Sequence, residues 1–434
     1  MGSVEKVLLI ALLAARTAPS TPGEHAPVAH PSAPVLNVAQ QEPPKPPRVR
    51  FLFRKPPSLR IGEEFRMDFR VRLQSDFRDY RPDLPIDGDT YVFRRARVGV
   101  QGRVYDDLEY EVDAELRDTE APWRNVFLNY RRFSIAEVQG GRFKMPFGRD
   151  QLSGIFNIDF LERSLIGSQL SPARDEGGMV HGQFADGILA YATGIFRSDG
   201  DNSHVGGSPG AGSTWAGRVV VAPLARKRRR WRSLVAGAGV ATGTLPEGLN
   251  SLTGRTLSGY RFFEPVYVKG RRVRLGVDGG WAPGPFSVQA EYIRVNDQRN
   301  GQGLGDVDLT DVVSQGWYLS GTWALTGERK AGGLEPRRPL FQGGIGALEL
   351  AARIETLRFG SSAEGDEPPF ANPRAANVLE NRDRILTLGV NWYLNQFGRV
   401  SFNATREDIK DPARSPVLDR TRFWGAALRL QFVL

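Results

Sequence analysis

The sequence predicts an all-β chain: a sixteen-stranded antiparallel transmembrane β-barrel. Three observations predict it. In residues 59–75, LRIGEEFRMDFRVRLQS, one parity carries Leu59, Ile61, Phe65, Met67, Phe69, Val71 and Leu73, and the other carries Arg60, Glu64, Arg66, Asp68, Arg70, Arg72 and Gln74. A period of two marks a strand whose faces meet different media, and an unbroken strand of this length would run to roughly 50 Å, longer than ordinary globular strands. Only Glu63 interrupts the apolar stripe. The last strand, TRFWGAALRLQFVL, repeats the stripe as Trp424, Ala426, Leu428, Leu430, Phe432 and Leu434, so a chain with such ends can close on itself. Third, the mean hydropathy is −0.35 and no run of eighteen apolar residues occurs. That excludes a helical membrane protein but not a membrane barrel, whose signal is weak in each segment.

In chain order, MGSVEKVLLIALLAARTA places Lys6 before an apolar run from Val7 to Ala15 and then small residues. This is the layout of a secretory signal, assigned to residues 1–18. Residues 19–58 are rich in Pro and Ala, cannot build a core, and are expected to form a disordered periplasmic segment. The barrel is expected over 59–434, with strands at 59–75, 91–105, 108–117, 123–133, 135–144, 178–184, 188–196, 214–222, 234–244, 272–282, 286–295, 314–325, 346–358, 383–395, 399–409 and 421–434. Asp106-Asp107, Pro283-Gly284-Pro285 and Gln396-Phe397-Gly398 read as tight turns. The connections 145–177, 197–213, 245–271, 296–313 and 359–382 are long and rich in Gly, Asp, Asn and Ser. Short periplasmic turns on one rim and long extracellular loops on the other describe an outer-membrane barrel. A sandwich needs fewer strands, and no propeller or solenoid period is present.

Composition removes several functional classes. There is no Cys, and the four His, at positions 25, 30, 181 and 204, show no metal-ligand spacing, so no metal or other cofactor is expected. Eight of the 58 basic residues are Lys and the rest Arg, giving a net charge of +9. A GC-rich genome also produces such a count, so position rather than number carries the argument. On the polar face, Glu109, Glu111, Asp113, Glu115 and Arg117 lie one hairpin away from Arg95, Arg97, Gln101 and Arg103, close enough to pair. A lumen wall laced with Arg–carboxylate pairs follows, and an Arg without a carboxylate neighbour is the interesting one. Paired carboxylates can also suggest a glycosidase. Here they are better read as partners of Arg, and no acid, base or nucleophile is required, so no enzyme is expected. The run Ala225-Arg226-Lys227-Arg228-Arg229-Arg230-Trp231-Arg232 resembles a nucleic-acid patch, but parity puts it in a periplasmic turn, where outer-membrane lipids are the expected partner and nucleic acid is not. Trp281, Trp317, Trp323, Trp392, Tyr393 and Trp424 are expected in interfacial aromatic girdles.

From about residue 59 to the end, the segments YVFRRARVGVQGRVY, GRFKMPFG followed by FLERSL, FSVQAEYIR, GWYLSGTWALTGE, GALELAARIE, TLGVNWYLN and ALRLQFVL resemble, in order and spacing, the phosphate-selective porins O and P of Gram-negative outer membranes. The resemblance implies a homotrimer of barrels, each with a pore narrowed by an inward-folded third loop, here 145–177. It also implies a ladder of arginines drawing inorganic phosphate or other small anions to a basic site. On that resemblance Arg94, Arg95 and Arg163 fall on basic pore positions, and Arg97, Arg142 and Lys144 lie beside them. Gln151 stands where phosphate-specific members carry a lysine. Parity puts Arg95 in the lumen with Arg97 and Arg103 and Arg94 toward the outer rim. The expected function is passive, anion-preferring diffusion across the outer membrane, phosphate or polyphosphate first. The alternatives are a weakly selective general porin, and a barrel used as an adhesin or structural anchor.

Overall fold

The computed structural model describes residues 49–52, 56–82, 91–203, 205, 211–226, 230–361, 365, 367–417 and 419–434. The expected signal, most of the Pro-rich segment and residues 227–229 of the basic run lie outside the described residues. Among the described residues, sixteen strands close into one antiparallel barrel. In chain order they are β1 (Phe65–Arg81), β2 (Tyr91–Val104), β3 (Leu108–Glu115), β4 (Trp123–Phe133), β5 (Ala136–Lys144), β6 (Arg174–Phe184), β7 (Leu189–Phe196) and β8 (Thr214–Val221). They continue as β9 (Val235–Gly248), β10 (Val268–Trp281), β11 (Phe286–Arg299), β12 (Leu309–Ala324), β13 (Ala347–Ser361), β14 (Asn381–Tyr393), β15 (Gly398–Ile409) and β16 (Arg422–Val433). Every strand pairs with its sequence neighbour, and β16 pairs with β1 from Trp424 opposite Arg81 to Val433 opposite Arg72. The chain end completes the seam: the Leu434 N–H donates to the Val71 carbonyl at 2.8 Å, and the Val71 N–H donates to Leu434 at 3.2 Å.

The barrel is inside out relative to a soluble domain. Phe69, Leu128, Leu275, Trp317, Leu388, Trp424 and Leu430 are exposed on the outer face, whereas Asp76, Arg272, Arg274, Arg299 and Arg429 are buried within. Of the aromatics expected in the girdles, Trp317, Trp323, Trp392 and Trp424 are exposed outward, and Trp281 stacks on Trp231 with ring centroids 4.7 Å apart. Tyr393 departs from the expectation. Its hydroxyl donates to Glu349 at 3.0 Å, because successive strand residues face opposite sides and its neighbour Trp392 already faces out.

The first expected strand is also two strands. Residues Gly62–Glu64 turn the chain, with Gly62 at φ 62°, and the short strand Ser58–Ile61 folds back on β1. Val49–Leu52, from the Pro-rich segment, pairs in turn with Ser58–Ile61. Elsewhere strands outgrow their expected bounds toward the long-loop rim: β6 starts at Arg174, β10 at Val268 and β12 at Leu309.

The long connections fill part of the barrel. In the connection 145–173, Met145, Phe147, Leu165, Ile166 and Leu170 are buried against wall residues such as Ile293, Val295 and Phe359, each contributing about 1.5–3 kcal/mol of apolar burial. Phe147 lies in a slot made by Gly239 and Gly276, which are register partners. A Cβ on either would stand 3.3 or 3.1 Å from its ring. The start of the next long connection, residues 197–203, is fastened electrostatically. Asp199 accepts from Arg272 Nη1 at 2.6 Å and Arg274 Nη2 at 2.7 Å, and Arg272 also grips Asp297 at 2.6 Å. Burial would raise the Asp199 carboxyl, but Arg274 and Arg272 outweigh it and hold it down at about 2.

Two outcomes follow from this wall. Deleting Phe432–Leu434 removes part of the seam and leaves backbone groups of β1 unpaired in lipid, at several kcal/mol each, so the truncated chain gives no folded, heat-modifiable barrel on gels. Because the folded-state value of Asp199 is depressed, its contribution is present above the ordinary carboxylate range and is lost only as pH falls through about 2. The variant Asp199→Asn leaves two buried guanidinium groups short of a counter-charge and is expected to lower stability at neutral pH by about 3–5 kcal/mol, read by urea unfolding of the micelle-embedded protein.

Candidate functional site: the lumen and the loop that crosses it

Residues 145–173 leave the wall at β5, cross the lumen and return at β6. Two short helices shape the crossing, α1 (Arg149–Leu152) and α2 (Leu165–Gln169). Glu291 of β11 accepts the backbone N–H groups of Arg149 at 2.7 Å and Asp150 at 3.0 Å, so a wall carboxylate caps the first turn. Farther along, the Leu161 N–H donates to Asn403 at 2.7 Å, Asn391 donates to the Asp159 carbonyl at 2.8 Å and Arg399 to the Ile158 carbonyl at 2.9 Å. Lys330, from the connection between β12 and β13, reaches Asp159 at 2.5 Å. These contacts tie the loop to the wall strands β11, β14 and β15. Beneath it, toward the short-turn rim, a cavity of about 690 Å³ is lined by charges of both signs, among them Arg149, Asp159, Lys330, Arg353 and Arg399.

The expected basic residues separate into three arrangements. Arg94 and Arg95 come together on the Glu162 carboxylate: Arg94 Nε at 3.0 Å and Arg95 Nη2 at 3.1 Å, joined by Arg78 Nη2 at 2.6 Å and Arg429 Nη2 at 3.3 Å. The outer-rim position expected for Arg94 is therefore corrected. The β1–β2 register slips between Gln74 opposite Arg95 and Ser75 opposite Phe93, and this bulge, an extra residue on β2, turns Arg94 inward beside Arg95. Burial would raise the Glu162 carboxyl, but Arg94, Arg95, Arg429 and Arg78 together hold it well below the usual carboxylate range. Asp76 backs the cluster, accepting from Arg429 Nε at 2.6 Å and Arg78 Nη2 at 2.7 Å.

Arg163 and Gln151 belong to the loop's own construction. Arg163 donates to the carbonyls of Asp150 and, at 2.6 Å, Ser153, and burial pushes its guanidinium down despite nearby Asp150 and Glu162. Gln151 is buried within α1. Arg142 is taken by Asp201 at 2.7 Å, and Arg97 by Glu115 at 3.0 Å.

The remaining arrangement differs. Lys144 and Arg174 sit opposite each other at the ends of β5 and β6. Lys144 donates to the carbonyls of Leu152 at 3.1 Å and Ser153 at 2.7 Å, and Arg174 donates to the Asn125 amide oxygen at 2.7 Å. Neither pairs with a carboxylate among the described residues. Arg97 and Arg163 stand around both, and the loop's Phe156 ring lies 5.1 and 5.6 Å from the guanidinium carbons of Arg72 and Arg97. The wall charges on β2 and β3 pair as expected, with Arg103 on Glu109 at 3.0 Å beside Arg97 on Glu115.

Sequence reasoning passed over Glu162, Asp76, Arg78, Arg174 and Arg429. Arg429 was within reach, lying opposite in parity to the apolar stripe of β16. Glu162 stood beside Arg163 but was read only as its neighbour. Arg78 and Arg174 lay beyond the expected strand limits.

Residues 65–434 match the family described as phosphate-selective porin O and P. Porin O of Pseudomonas aeruginosa is 24% identical over 376 residues, covering 78% of this chain and 82% of that protein. Among solved structures, the anion-selective porin from Comamonas acidovorans aligns with a TM-score of 0.54 at 12% identity, over 86% of this chain and all of that one. OmpT of Vibrio cholerae, with its loop L8 deleted, also gives 0.54 at 12% identity, over 85% and 99%. These structures share the barrel fold, and the family match spans the whole barrel: the chain belongs to the phosphate-selective porin O and P family and is a porin of the Gram-negative outer membrane.

Proposed function

We propose that this porin is a passive, anion-preferring channel, working as a homotrimer in the manner the family suggests, and that small oxyanions such as phosphate pass it without being held tightly. The observation that carries the reading is the pair Lys144 and Arg174, whose hydrogen bonds run to neutral oxygens and which form no ion pair with a carboxylate among the described residues, with Asp150 and Asp201 standing farther off. Between low-dielectric walls such charges attract anions, replace part of their hydration shell and repel cations. Binding has to remain weak enough for release. Two features argue against tight phosphate retention: Arg94 and Arg95 already bind Glu162, and Gln151 carries no charge and is buried. The same two features favour the weakly selective porin as the second reading. An adhesin or anchor has no need of conduction, so the bilayer experiment separates that alternative as well.

In planar bilayers with a potassium chloride gradient, the reversal potential of the wild type is expected to report chloride over potassium. Replacing Lys144 and Arg174 together by Gln should lower that permeability ratio at least about twofold, since two basic groups without a carboxylate in contact leave the wall. An unchanged ratio would remove them from the path. The variant Gln151→Lys is expected to leave phosphate block of the chloride current as it is and instead to destabilise the loop by roughly 2 kcal/mol or more, because it buries a charge without a partner; current block and urea unfolding read the two effects.

A further inference from the structure

We infer that Glu162 sets the oxyanion specificity of the channel: its carboxylate is a tethered counter-anion occupying a nest of arginines that would otherwise hold a free oxyanion such as phosphate or sulfate. The inference rests on the anion-channel reading above and adds to it the reason that phosphate is released.

The nest is built on three adjacent strands of the wall, β16, β1 and β2. Arg78 comes from β1, Arg94 and Arg95 from β2, and Arg429 from β16, and all four contact the Glu162 carboxylate at 2.6–3.3 Å. Guanidinium groups converging on one carboxylate from several sides give the donor geometry that a tetrahedral oxyanion takes, with forked donors on each oxygen. Among the described residues, the charges facing the site are these four arginines, Asp76 behind Arg78 and Arg429, Arg97, itself held by Glu115, Arg163, the next residue in the chain, and Arg353 on the Glu162 carbonyl. With Glu162 in place, two carboxylates face four guanidinium groups. Without it only Asp76 remains, and Arg94 and Arg95 lose their carboxylate. The site also meets the lumen: the Arg94 side chain keeps 40% of its exposure and Glu162 keeps 19%. A passing anion can therefore reach the nest but must displace a carboxylate whose own backbone is anchored. The Glu162 carbonyl accepts from Arg353 at 3.1 Å, and the neighbouring Leu161 N–H donates to Asn403 at 2.7 Å. Because the competitor is covalently attached, it returns without a diffusional step, and a free phosphate sees an occupied site.

The test uses the full-length channel in planar bilayers and reads the phosphate concentration that halves the chloride current. Glu162→Gln is expected to lower that concentration on the order of tenfold, the scale of one charge-assisted interaction. Adding Arg94→Gln and Arg95→Gln to that variant should return the block to within about twofold of wild type. Glu162→Asp, which keeps the charge but draws it back by one methylene, should fall between. A wild-type block in Glu162→Gln, or a gain that survives loss of Arg94 and Arg95, overturns the inference. If Glu162→Gln gives no heat-modifiable barrel, Glu162→Asp decides alone, a tighter block supporting the inference and a wild-type block overturning it. The two possible failures are distinct. A wild type without chloride preference defeats the anion-channel reading, whereas an anion-preferring wild type whose Glu162 variants block like wild type defeats only this inference.

Discussion

Closure of β16 onto β1 is the constraint on which everything else in this molecule depends. In hydrocarbon each backbone N–H and C=O must find a partner within the wall, so the chain has to bring its first and last barrel strands together from Trp424 opposite Arg81 to Val433 opposite Arg72. Once the wall is closed, its two faces meet different solvents and the alternation of the sequence is forced. Apolar residues such as Leu275, Leu388 and Leu430 go out, and the charges have nowhere to go but in. The interior is enclosed by a low-dielectric wall, where an unmatched charge is costly. Matching charges inside the barrel is therefore the second requirement, and it shapes the loops as much as the strands. Asp199 and Glu162, both on loops, lie against arginines of the wall.

The strands were legible because that alternation is the direct trace of two solvents. What parity could not show are the places where the count of residues changes while the pattern survives. The turn at Gly62–Glu64 has three residues, so Ile61 and its partner Phe65 share a parity; the apolar stripe resumes on the same parity after Glu63, and periodicity alone reads one long strand. The bulge at Arg94 does the opposite. One extra residue shifts parity locally, so an arginine counted as outward turns in. Nothing in the alternation of the sequence announces either of them.

The candidate site was legible by residue type rather than by role. The basic segments do line or cross the lumen, but the sequence does not say which arginine meets which carboxylate, because the partners come from distant parts of the chain: Glu162 with Arg429, Arg142 with Asp201, Arg149 with Asp278 at 3.8 Å. The apolar half of the crossing loop was equally hidden. Phe147 fits its slot only because Gly239 and Gly276 face each other across two strands, a coincidence of register invisible in either strand alone.

These pairings suggest how a wall crowded with arginine keeps a working charge. A carboxylate satisfies a guanidinium's donors and cancels its field together, as at Arg272 and Arg274, whose burial depends on Asp199 and Asp297. A carbonyl or amide oxygen satisfies the donors and leaves the charge. Lys144 and Arg174 are held in the second way, so part of the hydrogen-bonding requirement of a confined cation is met, and on the proposed function their field would still reach an ion in transit. On this argument the identity of the acceptor, more than the number of arginines, divides the basic residues of the lumen into those that hold the barrel's interior together and those that act on what passes through it.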